Sequence, residues 1–396
     1  ILFAETDGAV IKNVNINSHV YNEKSAGIVQ VANNTSIDNC DVYISLNYGI
    51  CGGIAAEAYN STITNCCVTA TGYIYEFGGI VYSTSGNTVI ANCVLKNSGV
   101  NGTSLYGGIV GEACGKTEIY NCANSDIFNS RRSGGIVSYA EMSGLTLENN
   151  MYYKENDCCD VYYDIEKDEC ISEMVDKDST VSEKDAEGLY IPAKLNEYVR
   201  ANPNQVKGTT LKTWGVDYNN EPCFANNKNP ELYLIKQSGV KADTLINGDY
   251  ARGALPGDKV TVCGIADSAV LAVTDVNGND IKLTTNENGY EFTMPKCDVT
   301  VSAVLDTGIS ETTVIDGKTY VVVKNASDFV KAVKSIADGN SELNVYIAEN
   351  INLTAEELAE YPIYTDEMKQ SYNGIFDGAG HTITFDGLKQ SMLYYI

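Results

Sequence analysis

Residues 78–93 read GGIVYSTSGNTVIANC, and this stretch contains both phrases that decide the fold. It opens with Gly78-Gly79-Ile80-Val81 and closes with Ile90-Ala91-Asn92-Cys93. Copies of the first phrase begin at Ala26, Gly52, Gly78, Gly107 and Gly134, and copies of the second at Ile11, Ile37, Ile63, Ile90, Ile119 and Leu147. The two phrases alternate in phase, which indicates a structural repeat.

The spacing of the repeat predicts a parallel β-helix over residues 1–150. A period of roughly 26 to 29 residues is too short for a propeller blade, and the leucine phrases of a leucine-rich repeat are missing. The intervening segments are short, β-branched and alternating, which favours strands. One coil cannot bury its own apolar residues, whereas coils stacked about 4.8 Å apart share a continuous core. A right-handed coil is expected because parallel crossovers are overwhelmingly right-handed.

Stacking should place equivalent residues in columns. The isoleucine of the second phrase should point inward, with the cysteine as a small apolar filler beside it. The asparagine should adopt left-handed backbone at a bend and bond the next coil, while the glycine pair should allow a tight corner. The predicted ladder residues are Cys40, Cys66, Cys93 and Cys122, together with Asn39, Asn65, Asn92 and Asn121.

At these residues the sequence resembles the GLUG-motif repeats of large surface proteins from gut bacteria. The resemblance covers residues 1–150. It implies a secreted or cell-surface location and an adhesin-like role, because such repeats accompany adhesins.

The remainder of the chain is predicted to form three further parts. Residues 151–230 lose the period and are expected to cap the open end of the β-helix. Residues 231–306 should form a small all-β module of β-sandwich or β-grasp type. Their phrase Phe292-Thr293-Met294-Pro295, followed by Asp298-Val299-Thr300-Val301, resembles small spacer repeats related to the internalin B-repeat. Residues 307–396 should begin a second β-helix behind a helix.

The helix in residues 307–396 has an apolar face of Phe329, Val330, Val333 and Ile336. Ser327 or Asn325 is expected to cap it, and Gly339 to end it. Residues 375–383 resemble the first coil of a β-helix, whereas residues 1–11 resemble a second coil. A processed form or fragment is expected, since Ile1 is not an initiator Met. Either the chain is cut from a tandem array, or copies join head to tail into a fibre.

Charge and cysteine content exclude several classes of partner. The formal net charge of −25 repels nucleic acid and anionic lipid surfaces. Solubility is the favoured explanation of this acidity, with specific cation binding as the alternative. No apolar run approaches the roughly 18 residues of a membrane span.

Thirteen cysteines without zinc spacing and two histidines predict no metal site and no cofactor. The ladder cysteines are expected to be buried thiols rather than disulfides or metal ligands.

No catalytic residue is predicted, because no Gly-x-Ser-x-Gly, His-Glu-x-x-His or P-loop phrase occurs. Asp157, Asp160, Asp164 and Asp168 suggest either a Ca²⁺ site or a solvated acidic loop, and the loop is favoured.

The candidate ligand surface consists of Tyr73, Tyr75, Tyr106, Arg131 and Arg132. The expected function is that of a non-enzymatic structural or adhesive protein that contacts itself, a host surface or a glycan. The alternative is a carbohydrate-binding or carbohydrate-cleaving β-helix.

Overall fold

The computed structural model describes residues 1–21, 24–102, 104–125, 132–153, 159–171, 175, 181–182, 189–239, 242–265, 269–315, 318–337, 340–354 and 372–385. The chain forms two compact units. One consists of Ile1–Leu234 and Asp249–Asp258, and the other of Ile235–Gly248 and Lys259–Ile396.

The first unit is a parallel β-helix whose coils contribute strands to four sheets, A to D in chain order. Sheet A stacks Phe3–Asp7, Val29–Asn33, Ala55–Tyr59, Val81–Ser85, Val110–Ala113, Val137–Ala140 and Val161–Asp164. Sheet B stacks Val10–Lys12, Ser36–Asp38, Thr62–Thr64, Asn87–Ala91, Lys116–Tyr120 and Leu145–Glu148.

Sheets C and D complete each coil. Sheet C stacks Asn15–Val20, Asp41–Asn47, Cys67–Tyr73, Val94–Asn101, Ala123–Asn124, Met151–Tyr153 and Val181–Ser182. Sheet D stacks Lys24–Ala26, Ile50–Gly52, Glu76–Gly78, Leu105–Gly107 and Ser133–Gly134. A short 3-10 helix, Met142–Gly144, precedes the last strand of sheet B.

The register of sheet B shows how the repeat specifies the fold. Ile63 pairs with Ile37 on one side and with Ile90 on the other. All three side chains are fully buried in the core that the coils share. A slip of one residue would turn this column outward, so the recurring isoleucine fixes the pairing. The predicted fold class, a mainly-β chain built on a parallel β-helix, is confirmed.

The Gly-Gly corner between sheets D and A has no space for a side chain. A Cβ atom on Gly79 would lie 2.0 Å from the carbonyl oxygen of Gly108. A Cβ atom on Gly53 would lie 2.2 Å from the carbonyl oxygen of Gly79. Backbone of the following coil occupies this space, which explains the second glycine of the phrase.

The stack of coils extends beyond residue 150, where the cap was predicted to begin. Met151–Tyr153 pairs with Ala123–Asn124, and Val161–Asp164 pairs with Val137–Ala140. Glu169–Cys170 then runs antiparallel to the end of the last strand of sheet A. This hairpin interrupts the parallel pattern and protects the sheet edge.

Two aspartates of the predicted acidic loop are buried in this last coil. Asp160 has no exposed surface and accepts a hydrogen bond from the backbone N–H of Val175. Asp164 is 1% exposed and accepts from backbone N–H groups of its own turn. The solvated-loop prediction is therefore wrong for both residues, because their carboxylates are buried and accept from backbone N–H groups. Asp168 is exposed, and Asp157 lies outside the described residues.

Residues 190–224, named the flank segment, lie along the side of the β-helix. The segment contains the helix Tyr190–Ala201 and the antiparallel pair Trp214–Val216 and Pro222–Phe224. Its buried Ile191, Leu195, Val199, Val206, Leu211 and Trp214 share a core with Ala91, Val94, Tyr120, Ala123, Met151 and Tyr153 of the coils. The predicted cap over residues 151–230 is thus corrected to a closing hairpin and a segment that covers one flank.

Short strands complete the first unit and lead into the second. Asp249–Tyr250 and Gly253–Ala254 belong to the first unit, where Tyr233 and Leu234 pair with Gly253–Ala254. In the second unit, Tyr233–Gly239 pairs from Ile235 onward with Val299–Leu305, which also pairs with Ala269–Asp275. A second sheet contains Asp243–Ile246, Lys259–Cys263, Gly289–Thr293 and Thr284–Asn286. These strands form the small all-β module.

The C-terminal part has the parallel pairing of an initial β-helix. Its strands are Thr312–Ile315, Lys318–Val323, Val345–Ile347, Ile351–Leu353, Phe376–Asp377 and Ile383–Phe385. Val345–Ile347 pairs parallel with both Lys318–Val323 and Phe376–Asp377, while Ile351–Leu353 pairs parallel with Ile383–Phe385. One coil therefore begins to stack on another.

The helix Ala326–Ala337 packs against these strands. It buries the predicted face of Phe329, Val330, Val333 and Ile336. Of the two predicted caps, Asn325 is the one that acts, because its Oδ1 accepts from the backbone N–H of Asp328 over 2.9 Å. Gly339, the predicted end of the helix, lies outside the described residues.

We predict that Gly79→Ala lowers the free energy of unfolding by more than about 2 kcal/mol, because the new Cβ meets rigid backbone. Gly99→Ala is the matched control, since its Cβ would meet only Thr71 Cγ2, at 3.9 Å. The control should change stability by less than about 1 kcal/mol. Urea denaturation followed by circular dichroism measures both, and equal effects of the two substitutions would contradict the corner geometry.

Candidate functional site

The asparagines of the second phrase form a continuous hydrogen-bonded column. Asn92 donates from Nδ2 to Oδ1 of Asn65 over 2.8 Å, and Asn121 donates in the same way to Asn92 over 2.8 Å. Asn149 extends the column to Asn121 with a bond of 2.7 Å. All four residues have φ between 52° and 54°. This left-handed backbone, which asparagine tolerates well, turns each side chain toward the preceding coil.

The flank segment binds the middle of this asparagine column. Asn65 accepts from the backbone N–H of Lys212 over 2.9 Å and donates to the carbonyl of Thr210 over 3.1 Å. Asn92 donates to the carbonyl of Lys212 over 3.0 Å and accepts from Nε1 of Trp214 over 2.8 Å. The column therefore joins coil to coil and also holds a distant part of the chain.

Asn39 lies one coil upstream of Asn65 and one coil downstream of Asn13, which is the upstream end of the column. Its side chain donates to Asn13 of the preceding coil and accepts from Nζ of Lys212. Asn65, by contrast, donates to Asp38 over 2.8 Å rather than to the asparagine before it. An acidic side chain thus replaces one acceptor of the column.

The cysteines form a second column inside the core. Cys40, Cys66, Cys93 and Cys122 are each 2% exposed or less and are free thiols. Each sulfur donates to the carbonyl two residues earlier, over 3.1 to 3.4 Å. Burial raises the pKa of the Cys66 and Cys93 thiols well above the ordinary value. The column fills space beside the isoleucines and offers no accessible nucleophile.

Asn150 takes the place of the sulfur in the next coil. It is fully buried, accepts from the backbone N–H of Cys122 over 3.0 Å and donates to the carbonyl of Ile119 over 2.8 Å. An amide can occupy this position because both of its polar ends find backbone partners.

A phenol and two carboxylates meet where sheets D and A adjoin. The hydroxyl of Tyr82, whose side chain is 6% exposed, donates to Oε2 of Glu76 over 2.6 Å. Burial raises the pKa of Glu112, and the Glu76 charge adds to this effect, although a hydrogen bond with Tyr82 opposes it. Two carboxyl groups thus lie near one phenol, and the pKa of Glu112 is raised.

Three exposed tyrosines touch one another at the corner between sheets C and D. Tyr48, Tyr73 and Tyr75 are 56%, 43% and 49% exposed. Their ring centroids lie 5.2 Å apart for Tyr48 and Tyr73, 5.8 Å for Tyr48 and Tyr75, and 6.0 Å for Tyr73 and Tyr75. These separations are typical of interacting aromatic pairs. The three residues are named the tyrosine corner.

The backbone of two neighbouring coils positions the tyrosine corner. The N–H of Tyr48 donates to the carbonyl of Tyr73 over 2.8 Å, and the N–H of Tyr75 donates to the carbonyl of Gly49 over 3.1 Å. In the next coil, a Cβ on Gly102 would lie 2.0 Å from the Tyr73 ring. The missing side chain of Gly102 thus makes room for that ring.

The structure brings only part of the predicted ligand surface together. Tyr73 and Tyr75 belong to the tyrosine corner, whereas Tyr106 is fully buried against Phe77, with ring centroids 5.6 Å apart. Tyr106 was wrongly expected at the surface. The residue before each Gly-Gly phrase points inward, as Cys51 and Phe77 show, and this position could have been recognised from the repeat.

Of the two arginines of the predicted ligand surface, one lies in the described part of the chain. Arg132 is exposed, and its carbonyl accepts from the N–H of Tyr106 over 3.0 Å. Arg131 lies outside the described residues. Tyr48 was not predicted, although it precedes a glycine at the corner that Tyr73 and Tyr75 occupy one coil later.

Comparisons with family models, curated proteins and solved structures found no match. The GLUG and internalin resemblances therefore stay predictions. In the described ranges no three His, Cys, Asp or Glu side chains converge into a group that could hold a metal ion. Neither helix in the described part of the chain has the length and apolar character of a membrane span.

We predict that Asn92→Gly loosens the flank segment without disturbing the bend, because glycine adopts the left-handed backbone freely. Loss of the amide leaves Trp214 Nε1 without this acceptor and should lower the free energy of unfolding by about 2–4 kcal/mol. Since Trp214 is the one tryptophan of the chain and is fully buried, its emission should shift to the red. Asn13→Gly, at the exposed end of the column, is the control. Unchanged emission in Asn92→Gly would contradict the assigned contact.

We predict that Cys66 and Cys93 resist iodoacetamide at pH 8.5 in the folded protein, whereas exposed Cys170 reacts. A free thiol with a pKa of about 8.5 is half ionised at this pH, but the raised pKa of the buried pair keeps them protonated. Mass spectrometry of the alkylated peptides, with a urea-unfolded sample as reference, measures the difference. Equal labelling of Cys66 and Cys170 in the folded protein would be incompatible with the buried column.

Proposed function

We propose that this chain is a non-enzymatic adhesive protein in which the β-helix displays a binding surface. The observation that supports the proposal is the tyrosine corner, where Tyr48, Tyr73 and Tyr75 are packed together and yet 43–56% exposed. Tyrosine buries a large rigid ring at small entropic cost and carries a hydroxyl that can hydrogen-bond, so it is enriched at recognition surfaces. A location outside the cell and head-to-tail assembly belong to the predictions from the sequence.

The scaffold suits this role because the strands that carry the rings are anchored in the core of the β-helix. The strands that lead to the corner carry fully buried side chains such as Ile44, Val68 and Ala70. Backbone bonds between coils fix the turn itself, so few degrees of freedom remain to be lost on binding. A rigid surface contact with a slow off-rate is the expected behaviour of such a site.

A second candidate function rests on Glu76, Tyr82 and Glu112. Glycoside hydrolysis uses a pair of carboxyl groups, and here Glu112, with a raised pKa, and Glu76 both lie near the hydroxyl of Tyr82. This arrangement favours the carbohydrate-cleaving alternative. We place it second because Tyr82 is buried and its hydroxyl is already bound to Glu76.

The two functions differ in what happens to the ligand. We predict that the purified chain binds saturably and reversibly to surfaces coated with polysaccharides or glycoproteins, and that it releases neither reducing ends nor unsaturated products from them. Binding should change little between low and physiological salt, because aromatic contacts are not screened by ions. Biolayer interferometry with a reducing-end assay on the same ligands measures both properties.

Two results would overturn the proposal. One is turnover of a polymer that Glu112→Gln abolishes, which would transfer the function to the carboxyl pair. The other is failure to adhere to any coated surface. Glu118→Gln removes a carboxylate on the outer face of sheet B, and it is the matched control for any loss of turnover in Glu112→Gln.

A further inference from the structure

We propose that the tyrosine corner binds single, soluble chains of a neutral glycan. The inference rests on the proposed adhesive function and specifies its ligand. It follows from the tilt of the three rings, from the backbone at Tyr48 and from the charge of the protein, each of which is an independent observation.

The ring planes favour a flexible single chain over a flat crystalline surface. The interplanar angles are 54° for Tyr48 and Tyr73, 50° for Tyr48 and Tyr75, and 81° for Tyr73 and Tyr75. A crystalline polysaccharide presents a plane of sugar faces, which needs coplanar rings to contact it. The three rings form a compact triangle of tilted faces, which can contact one or two sugars of a single chain from different sides.

The backbone at Tyr48 indicates that its ring serves a purpose other than folding. Tyr48 has φ 66°, a region in which a bulky side chain is unusual and costs about 1–2 kcal/mol. Every other non-glycine residue with positive φ in the described part of the first unit is Asn or Asp. Stability alone would favour asparagine at position 48. Strain of this kind is found where function requires a particular side chain.

Amide groups flank the rings and provide hydrogen bonds for sugar hydroxyls. Asn47 and Asn101 lie in register on either side of Tyr73 in sheet C, and both are exposed. An amide offers a donor and an acceptor to neighbouring hydroxyls of a sugar. A few such groups around an aromatic platform are typical of small-molecule sites.

The charge of the protein determines which glycans can approach. The chain carries 52 acidic and 27 basic residues, so its field repels sulfated, phosphorylated and carboxylated sugars. None of the three ring-bearing residues or the two flanking asparagines is charged. A quaternary ammonium ligand would need separated rings that enclose it, whereas these rings already fill the space between one another. A neutral glycan matches both the polarity and the packing.

The test compares binding of the full chain with that of a triple variant, Tyr48→Asn, Tyr73→Ala and Tyr75→Ala. Asparagine suits the left-handed backbone at position 48, so this change should not destabilise the fold. The test ligands are soluble neutral oligosaccharides of glucans, mannans, galactans and xylans. Three kinds of comparison ligand represent the alternatives. They are uronic acid and sulfated oligosaccharides, microcrystalline cellulose and chitin, and choline. Tyr59→Ala is the control, because Tyr59 is 47% exposed outside the tyrosine corner. Thermal denaturation verifies that each variant is folded.

We expect at least one neutral oligosaccharide to bind and the triple variant to bind it about tenfold more weakly or worse, while Tyr59→Ala binds normally. A Tyr→Phe triple variant should retain most of the affinity, since stacking survives without the hydroxyls. Four outcomes would overturn the inference. The chain binds only charged sugars, or it binds crystalline polymer as strongly as or more strongly than soluble chains. Alternatively, it binds choline but no neutral oligosaccharide, or it binds none of the neutral oligosaccharides. If the chain still adheres to coated surfaces in those cases, the proposed function stands and only its ligand changes. If adhesion is lost as well, both fail.

Discussion

The interaction on which the rest of this structure depends is the parallel backbone pairing between neighbouring coils. Each strand is bonded to its counterpart about one period away, so a residue type that suits one coil must recur at the same place in the next. The column of Ile37, Ile63 and Ile90 follows from this requirement. The pairing also contains an irregularity of register. A register shift occurs in sheet C between Thr69 and Thr71, next to the corner that carries the tyrosines. The proposed binding surface thus lies beside a place where the pairing is irregular.

The same constraint explains why polar groups occur so close to the core. An asparagine in left-handed backbone turns the chain and directs its amide along the stack, where the next coil supplies a partner. Thr84 and Thr117 form a comparable interior pair, with 2.7 Å between their hydroxyl oxygens. Buried polar groups are tolerated when each has a partner, and a periodic structure supplies the same partner repeatedly. The flank segment exploits this regularity, because Lys212 and Trp214 bond the amides of successive coils.

The sequence was most informative where the structure repeats. The cysteine and asparagine columns could be predicted because each has several copies at one spacing. The fold of residues 190–224 relative to the coils could not, since the bond between Asn92 and Trp214 joins residues 122 positions apart, and Trp214 belongs to no repeated phrase. Tyr106 was misplaced because a tyrosine in a variable stretch was assumed to be exposed, although its position before Gly107 belongs to an inward column. Asp160 was misplaced because local acidity does not reveal that backbone amides of a later turn need an acceptor.

The candidate site shows what such a scaffold adds to a set of aromatic residues. Isolated surface tyrosines move among rotamers and lose that freedom on binding, which weakens the contact. At the tyrosine corner the rings restrain one another, and their backbones are bonded across two coils. Replacement of one corner residue should change the proposed binding surface without altering the isoleucine or cysteine columns. In the proposed site, the residues for recognition differ from those that stabilise the same coil, so the surface could diversify while the core remains constant. At Tyr48, within the described residues of the tyrosine corner, the proposed binding role and the conformational preference of the backbone conflict, because the ring occupies a position with φ 66°.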